Sequence, residues 1–556
     1  MAEDLRERLL AELTGPGGEF EIAEQEVGGI PMRVYTGGPA TLRDVVLFSR
    51  GHGDREFLVY EDFRCSYAEH FRLVAGLARC LREEYGLTQG DRVAIAMRNF
   101  PEWAVVFWAI QAAGLVAVPL NAWWTDAELR YGMTDSGAAL VFADAERTAR
   151  LDRDVPVVEV RGGEPGPGVR AWSELVASLP EQAELPDVTI GPDDDATILY
   201  TSGTTGRPKG AVGTHRNHCT NLLNTVVGRR VQAALANGGV FPPLGDPSAP
   251  QPGVLLTFPL FHIAGINSLC FATLVGAKLA TLYRWDREAA ARLIVEADLT
   301  TAAGVPTVMR DLVENVDEAS RLDGVNMGGA PIPPDLVERI GRLGTGGVAP
   351  GNGYGLTETT SAVVMNAGGD YLAHPDSVGR CVPGADLRVV DPATGDDLPD
   401  GEIGELWFRG PNIVRGYWNN PEATAEAFVD GWFRTGDLGY VVDGWVHVVD
   451  RLKDVVIRGG ENVYCAEVEA ALFEHPAVAD CAVIGLPHPT LGEEVAAVVN
   501  LREPVETTEL QQHVAARLAA FKVPAHVVVR DDPLPRTPTG KVLKRRLRER
   551  LGAQGV

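Results

Sequence analysis

At 556 residues the chain is too long for one hydrophobic core, so two or more domains are expected. Hydrophobic residues at 45% and charged residues at 23% exclude a disordered or fibrous chain, and a formal net charge of −26 argues against a broad nucleic-acid-binding surface. Seven cysteines without CxxC or other metal-ligand spacing fit a reduced, cytoplasmic protein.

In chain order, residues 1–15 mix acids and bases and read as a short amphipathic helix, without the apolar core of a signal peptide. A helix is expected over 67–85 and a buried strand over 92–97. The apolar stretch 103–124 is interrupted by Gln111, Gly114, Pro119 and Asn121. A buried helix 103–113, a Gly114 cap and a strand 116–118 account for it better than a membrane span. A second α/β run has strands at 196–200, 254–258 and 278–282 and a helix at 286–297, with a Pro- and Gly-rich surface loop at 238–253. From 377 to 450 the pattern changes to short β runs (387–390, 404–409, 446–449), which suggest a small β-barrel or sandwich. After Lys453 come a helix at 466–473, strands at 479–484 and 495–501, a helix at 509–518, a strand at 527–529 and a basic tail assigned to solvent. The expected fold is α/β. A large N-terminal domain (1–450) holds two α/β subdomains and the small β-barrel, and a small α+β domain (451–556) follows.

The densest chemical signal is Tyr200-Thr-Ser-Gly-Thr-Thr-Gly-Arg-Pro-Lys-Gly210, directly after a buried strand. Gly203, Gly206 and Gly210 permit positive φ and leave N–H groups uncovered. Thr201, Ser202, Thr204 and Thr205 add hydroxyl donors and Lys209 a charge, which is what a polyphosphate requires. It is not a Walker A loop, because Pro208 stands where that pattern has glycine. A Ser/Thr/Gly surface turn is the ordinary reading of such composition, and the order of the residues after a strand weighs against it.

This segment resembles the signature of the adenylate-forming superfamily: acyl- and aryl-CoA synthetases, peptide-synthetase adenylation domains and beetle-type luciferases. Further segments resemble its other motifs in order: Phe258-Pro-Leu-Phe-His-Ile-Ala-Gly265, Gly328-Gly-Ala-Pro331, Asn352-Gly-Tyr-Gly-Leu-Thr-Glu-Thr359, Gly431-Trp-Phe-Arg-Thr-Gly-Asp-Leu438, Asp450-Arg-Leu-Lys-Asp454 with Gly459-Gly-Glu-Asn462, and Pro538-Thr-Gly-Lys541. The resemblance implies a mobile C-terminal domain and an ATP-dependent carboxylic acid–CoA ligase working through an acyl adenylate, with ATP, Mg2+ and CoA required.

The roles that follow are implied by the resemblance. Glu358 and Thr201 hold Mg2+, and Thr357 reaches the α-phosphate. Gly329, Ala330 and Pro331 let adenine lie against backbone, with Tyr354 stacking opposite and Asn352, Gly353 and Gly355 completing the nucleotide site. Asp437 takes the ribose hydroxyls with Arg451. Lys541 bridges carboxylate and α-phosphate oxygens. His262 aligns the carboxylate, and with no aspartate beside it an amino-acid substrate is not expected. Lys453 is the hinge. Gly459, Gly460 and Glu461, with Phe521 and Lys522, serve CoA, although Val523 and Leu491 depart from the residues some relatives carry there. His262, Ile263, Gly265, Met327, Gly328, Gly329 and Tyr354 are expected to line an apolar acid pocket, the Gly328–Gly329 pair leaving room for a bulky fatty, aryl or polycyclic acid. The alternatives are an acyl-AMP ligase serving an acyl carrier protein, a luciferase-like oxygenase and a non-catalytic nucleotide sensor. Partners are expected to be small molecules, with neither nucleic acid nor an integral membrane association.

Overall fold

The computed structural model describes residues 2–152, 154–164, 166–201, 207–242, 250–316, 322–330, 332–343, 347–537 and 541–554. Two large sheets dominate the first 380 or so residues. The seven-stranded sheet runs in the order Lys209–Thr214, Asp195–Thr201, Val116–Pro119, Arg92–Ala96, Leu140–Asp144, Val157–Val160, Val169–Ala171. All its neighbours are parallel except the first pair. The nine-stranded sheet has a parallel centre built from Ala349–Leu356, Gly324–Gly328, Thr301–Gly304, Gly253–Leu256, Lys278–Thr281 and Glu56–Tyr60, with antiparallel strands at both edges.

Strands buried on both faces need unbroken apolar sequence, which is why 92–96 and 140–143 read as continuous hydrophobic runs. The helices Tyr67–Glu83, Pro101–Ala112 and Ile263–Val275 share one core with both sheets. Trp103 and Trp108, both 0% exposed, are the largest side chains in it. The apolar stretch over 103–124 is thus a buried helix that ends before Gly114 (φ +71°), followed by a central strand. Among the described residues no helix is long and apolar enough to cross a membrane. All seven cysteines are free.

The β-rich segment forms an open five-stranded sheet rather than a closed barrel: Asp386–Val390, Gly404–Arg409, Trp432–Val442 and Phe428–Val429 in order, with Trp445–Arg451 also on Trp432–Val442. Closure is unnecessary because Val363 and Val364, from the edge of the nine-stranded sheet, cover its apolar face.

The last hundred residues make a second five-stranded sheet around the long hairpin of Val478–His488 and Gly492–Leu501. Helices Cys465–Phe473 and Thr507–Ala515 pack on one face of it, and Lys544–Gln554 on the other. The basic tail is therefore a helix. Arg545 and Arg546 are exposed as expected, but Lys544 is half-buried against Glu469, where an apolar face of the helix carries it toward the domain.

Candidate active site

Parallel strands place their carboxyl ends on one edge, and ligands of open α/β sheets bind outside that edge. Leu256, Gly328 and Leu356 end three such strands of the nine-stranded sheet. The segments that follow them, from Phe258, Gly329 and Thr357, therefore emerge side by side although a hundred residues separate the first from the last. Ser202–Gly206, Pro331 and Pro538–Gly540 lie outside the described residues.

Glu358 sits in the tight turn between strands Ala349–Leu356 and Ser361–Ala367, not at a helix start. The buried Thr359 hydroxyl accepts from Leu356 N–H (2.8 Å) and donates to Ser361 O (2.7 Å), closing the turn. Thr360 and Ser361 take positive φ (51° and 83°) in it. Such backbone is costly for residues with a Cβ and persists where surroundings over-determine it. The Glu358 carboxylate is buried, and Tyr417 OH donates to its Oε1 at 2.8 Å. Burial pushes its pKa up, and the Tyr417 hydrogen bond opposes this. Lys209 Nζ lies 5.1 Å over the ring of the same tyrosine. Thr201 and Lys209 are paired neighbours on the two antiparallel strands that flank the glycine-rich segment. Tyr417 thus joins the acid to the phosphate segment. Nothing in its local sequence, an Asn- and Gly-containing turn, announces this.

At the opposite end Tyr354 OH donates to Asp437 Oδ2 (2.7 Å), and Arg451 Nε approaches Asp437 Oδ1 at 2.9 Å. Asp437 and Arg451 are cross-strand partners in the antiparallel pair Trp432–Val442 and Trp445–Arg451, so register alone brings them together. Asp437 is 3% exposed, and among the described residues its Oδ1 has only this ion contact. Gly329 has φ +78° and open space where a Cβ would stand, a cradle that a flat ring could approach.

The pocket expectation needs correction. A Cβ on Gly328 would lie 2.9 Å from Gly353 O, and one on Gly265 2.2 Å from Pro259 O, so these glycines are small for backbone packing rather than for a bulky acid. Ile263 and Met327 are buried in the two cores. His262 is half-buried and caps its helix, Nδ1 accepting from Ala264 N–H at 3.3 Å. The surrounding protein lowers its pKa to about 4, which keeps the ring neutral. A cavity of about 270 Å3, lined by Trp123, Phe258, Phe261, Tyr283, Arg98 and Thr537 among others, lies beside Phe258 and Phe261 of this segment.

Thr537 belongs to the C-terminal unit, and the loop it opens carries Lys541. Lys541 N–H donates to Thr537 Oγ1 (3.1 Å), and Thr537 N–H donates to Lys541 O (2.7 Å). Loss of water between the two units, then Arg451, lowers the Lys541 pKa to about 8, while Asp437 and Asp454 pull the other way. The residue as a whole remains exposed at the surface between the two units. Lys541 thus lies within electrostatic reach of the Asp437–Arg451 pair.

The segment around Lys453 is a turn: Asp454 N–H donates to Arg451 O, and Leu452 N–H to Gly436 O. Gly459 and Gly460 (φ 62° and 91°) make the hairpin between Val456–Arg458 and Glu461–Val463. That hairpin packs beside the turn Ala520–Lys522, so the two segments expected to serve CoA adjoin each other. Lys522 Nζ is held by Glu467 at 2.6 Å.

Residues 47–418 match the family model described as AMP-binding enzyme, and residues 467–541 that described as AMP-binding enzyme C-terminal domain. The feruloyl-CoA synthase of an Amycolatopsis species is 38% identical over 498 residues, covering 88% of this chain and 94% of its own. The long-chain-fatty-acid–CoA ligase FadD13 of Mycobacterium tuberculosis is 33% identical over 508 residues, with 88% and 94% covered. Among solved structures, ATP-bound MatB from Rhodopseudomonas palustris matches with TM-score 0.80 and 31% identity over 93% of this chain and 99% of that one. The Bacillus subtilis o-succinylbenzoate CoA synthetase with its acyl-adenylate intermediate matches with TM-score 0.77 and 29% identity, over 90% and 97%. The chain belongs to the AMP-binding enzyme family of the adenylate-forming superfamily. Within it, the chain is an AMP-forming acid–thiol ligase.

Proposed function

We propose that this enzyme activates an aryl or aliphatic carboxylic acid with ATP and transfers the acyl group to CoA, in two half-reactions at one site. In the first, a carboxylate oxygen attacks the α-phosphorus and pyrophosphate leaves; in the second, the thiol displaces AMP. Two anions must meet in the first step, so the protein has to supply positive charge where negative charge develops. The observation that carries the reading is the convergence of Glu358, the Tyr354–Asp437–Arg451 cluster and Lys541 around one carboxyl edge.

The buried Glu358 carboxylate with the facing Thr201 hairpin fits a magnesium ion. The donors are hard oxygens, and no group of three or more His, Cys, Asp or Glu among the described residues forms a dedicated metal cage. Glu358 and Thr201 would hold Mg2+, which when bound neutralises phosphate charge. Tyr417 aims Glu358. Asp437, whose Oδ1 has acceptor capacity to spare, takes the ribose hydroxyls with Arg451 beside it, and Tyr354 is braced by Asp437 to support the base over Gly329. Lys541, charged below pH 8 or so, meets the carboxylate and α-phosphate oxygens. The domain boundary falls in the turn at Lys453, and rotation there would exchange Lys541 for the Gly459–Glu461 hairpin, with Phe521 and Lys522 taking the CoA nucleotide. For the substrate, the feruloyl-CoA synthase relative favours an aryl acid over a long aliphatic chain.

ATP–pyrophosphate exchange across straight-chain, aryl and amino acids, followed by thioester detection with CoA and with a carrier protein, tests this. Exchange with hydroxycinnamate-type acids and a CoA thioester are expected. Exchange with none of the acids, or preference for an α-amino acid over its deaminated analogue, would overturn it.

A further inference from the structure

Lys544 does not behave like the rest of the basic tail. It stands three residues after Lys541, its side chain is 17% exposed, and Nζ lies 2.8 Å from Glu469 Oε1, itself 16% exposed. Glu469 is fixed in turn: Val483 N–H donates to the same oxygen at 2.8 Å. Across the hinge, on the N-terminal side of Lys453, stands Asp450. Its carboxylate accepts from Arg451 N–H (2.7 Å) and from Ala466 N–H (3.3 Å), the latter at the start of the helix that carries Glu469. Lys544 and Asp450 lie within each other's field without a direct ion pair, Lys544 pulling down the Asp450 pKa that burial raises.

The Lys541 loop has a second foot. Arg536 and Val542 form an isolated antiparallel bridge that closes it, and Arg536 Nη2 is 2.7 Å from both oxygens of Asp480. The reactive lysine is thus flanked in sequence by two residues ion-paired to the domain, Arg536 with Asp480 and Lys544 with Glu469. On the Lys544 side, the helix that carries Glu469 also meets Asp450, from the other side of the hinge, through Ala466 N–H. We propose that Lys544, held by Glu469 on the helix whose first turn meets Asp450 across the hinge, is a positioning residue that sets Lys541 in place for adenylation. Removing it frees the end of the loop and weakens the cross-hinge contact. The second half-reaction, in which Lys541 takes no part, is left alone.

This rests on the reading of Lys541 as the adenylation lysine, so the test carries Lys541→Ala as reference. In the full-length enzyme, Lys544→Met and Glu469→Gln should each lower kcat for ATP–pyrophosphate exchange by tenfold or more, about 1.4 kcal/mol in barrier. CoA thioester formation from supplied acyl adenylate should stay within about twofold of wild type. Lys544→Arg, which keeps a cation for Glu469, should recover most of the exchange. Leaving a buried charge unpaired is destabilising, so Tm is measured alongside, and if Lys544→Met does not fold the comparison is read from the other two variants. Equal loss of both half-reactions with a lowered Tm would show a purely structural residue and overturn the proposal. Wild-type exchange in Glu469→Gln and Lys544→Met, with exchange abolished in Lys541→Ala, would overturn it while leaving the Lys541 reading intact. Exchange surviving in Lys541→Ala would remove that reading, and the proposal with it.

Discussion

Lys541 and Tyr417 show how individual side chains set the chemistry. A lysine that must be cationic, yet has lost water and faces Arg451, gives up its proton near pH 8 rather than above 10. The parameter kcat/KM for ATP in the exchange reaction reports the free enzyme. It should therefore fall as pH rises through about 8, and Lys541→Arg, whose cation persists, should lose that limb of the profile. An exchange profile flat from pH 7 to 10 would exclude Lys541 as the titrating group. Tyr417 offers a separate test. Tyr417→Phe keeps the ring under Lys209 but removes the donor to Glu358. A hydrogen bond to a charged group is worth about 1.5–3 kcal/mol, so exchange should drop by roughly ten- to a hundredfold and half-saturation by Mg2+ should rise. Unchanged magnesium dependence would detach Tyr417 from the metal.

At the scale of elements, the motif-bearing segments were legible because glycines and hydroxyls at strand ends have no structural reason to cluster so densely. The strands over 92–96 and 253–256 and the helix Arg287–Glu296 fall within a residue or two of their sequence positions. What local pattern did not carry is which edges pair. The open small sheet, the direct contact of Tyr417 with an acid 59 residues away, and the pairing of Lys544 with Glu469 all depend on tertiary neighbours. Gly328 and Gly265 were misread for the same reason, since a glycine that admits a neighbouring backbone and one that leaves a pocket look alike in sequence. The turn at Lys453 yields a prediction at this scale. Proline there fixes φ and restricts Leu452, so it should jam any change of backbone angles. Lys453→Pro should retain ATP–pyrophosphate exchange within a few-fold and lose thioester formation at least tenfold. An undiminished overall rate would move the pivot elsewhere.

The whole molecule stores an acid sensitivity in its helices and sheets. His70, His215 and His218 are all nearly inaccessible, and burial lowers their pKa values to about 3, 4 and 3. His215 Nδ1 accepts from Leu42 N–H at 3.1 Å, and His218 Nε2 lies 2.9 Å from Thr197 Oγ1, so neutral rings are built into the joint between the first helices and the seven-stranded sheet. Unfolded, these imidazoles titrate near 6.5. Below that pH the unfolded chain binds protons that the folded chain refuses, so the stability present above pH 6.5 is lost as pH falls toward 4. Each group contributes a slope approaching about 1.4 kcal/mol per pH unit within that window. Asp193, Asp335 and Glu69, held low in the fold, begin to cost stability only near and below their unfolded values, about pH 4. Buried Glu358 and Asp450, whose pKa values are raised, work in the opposite direction. The urea midpoint should therefore fall steadily from pH 7 to pH 5. His262, also held near 4, and the less shifted His52 and His513 share the effect, so His70→Leu, which removes one refused proton and fills similar volume, should shrink that fall by up to about a quarter. A midpoint constant over those two units, or a His70→Leu slope equal to wild type, would show that these histidines do not control the response to acid.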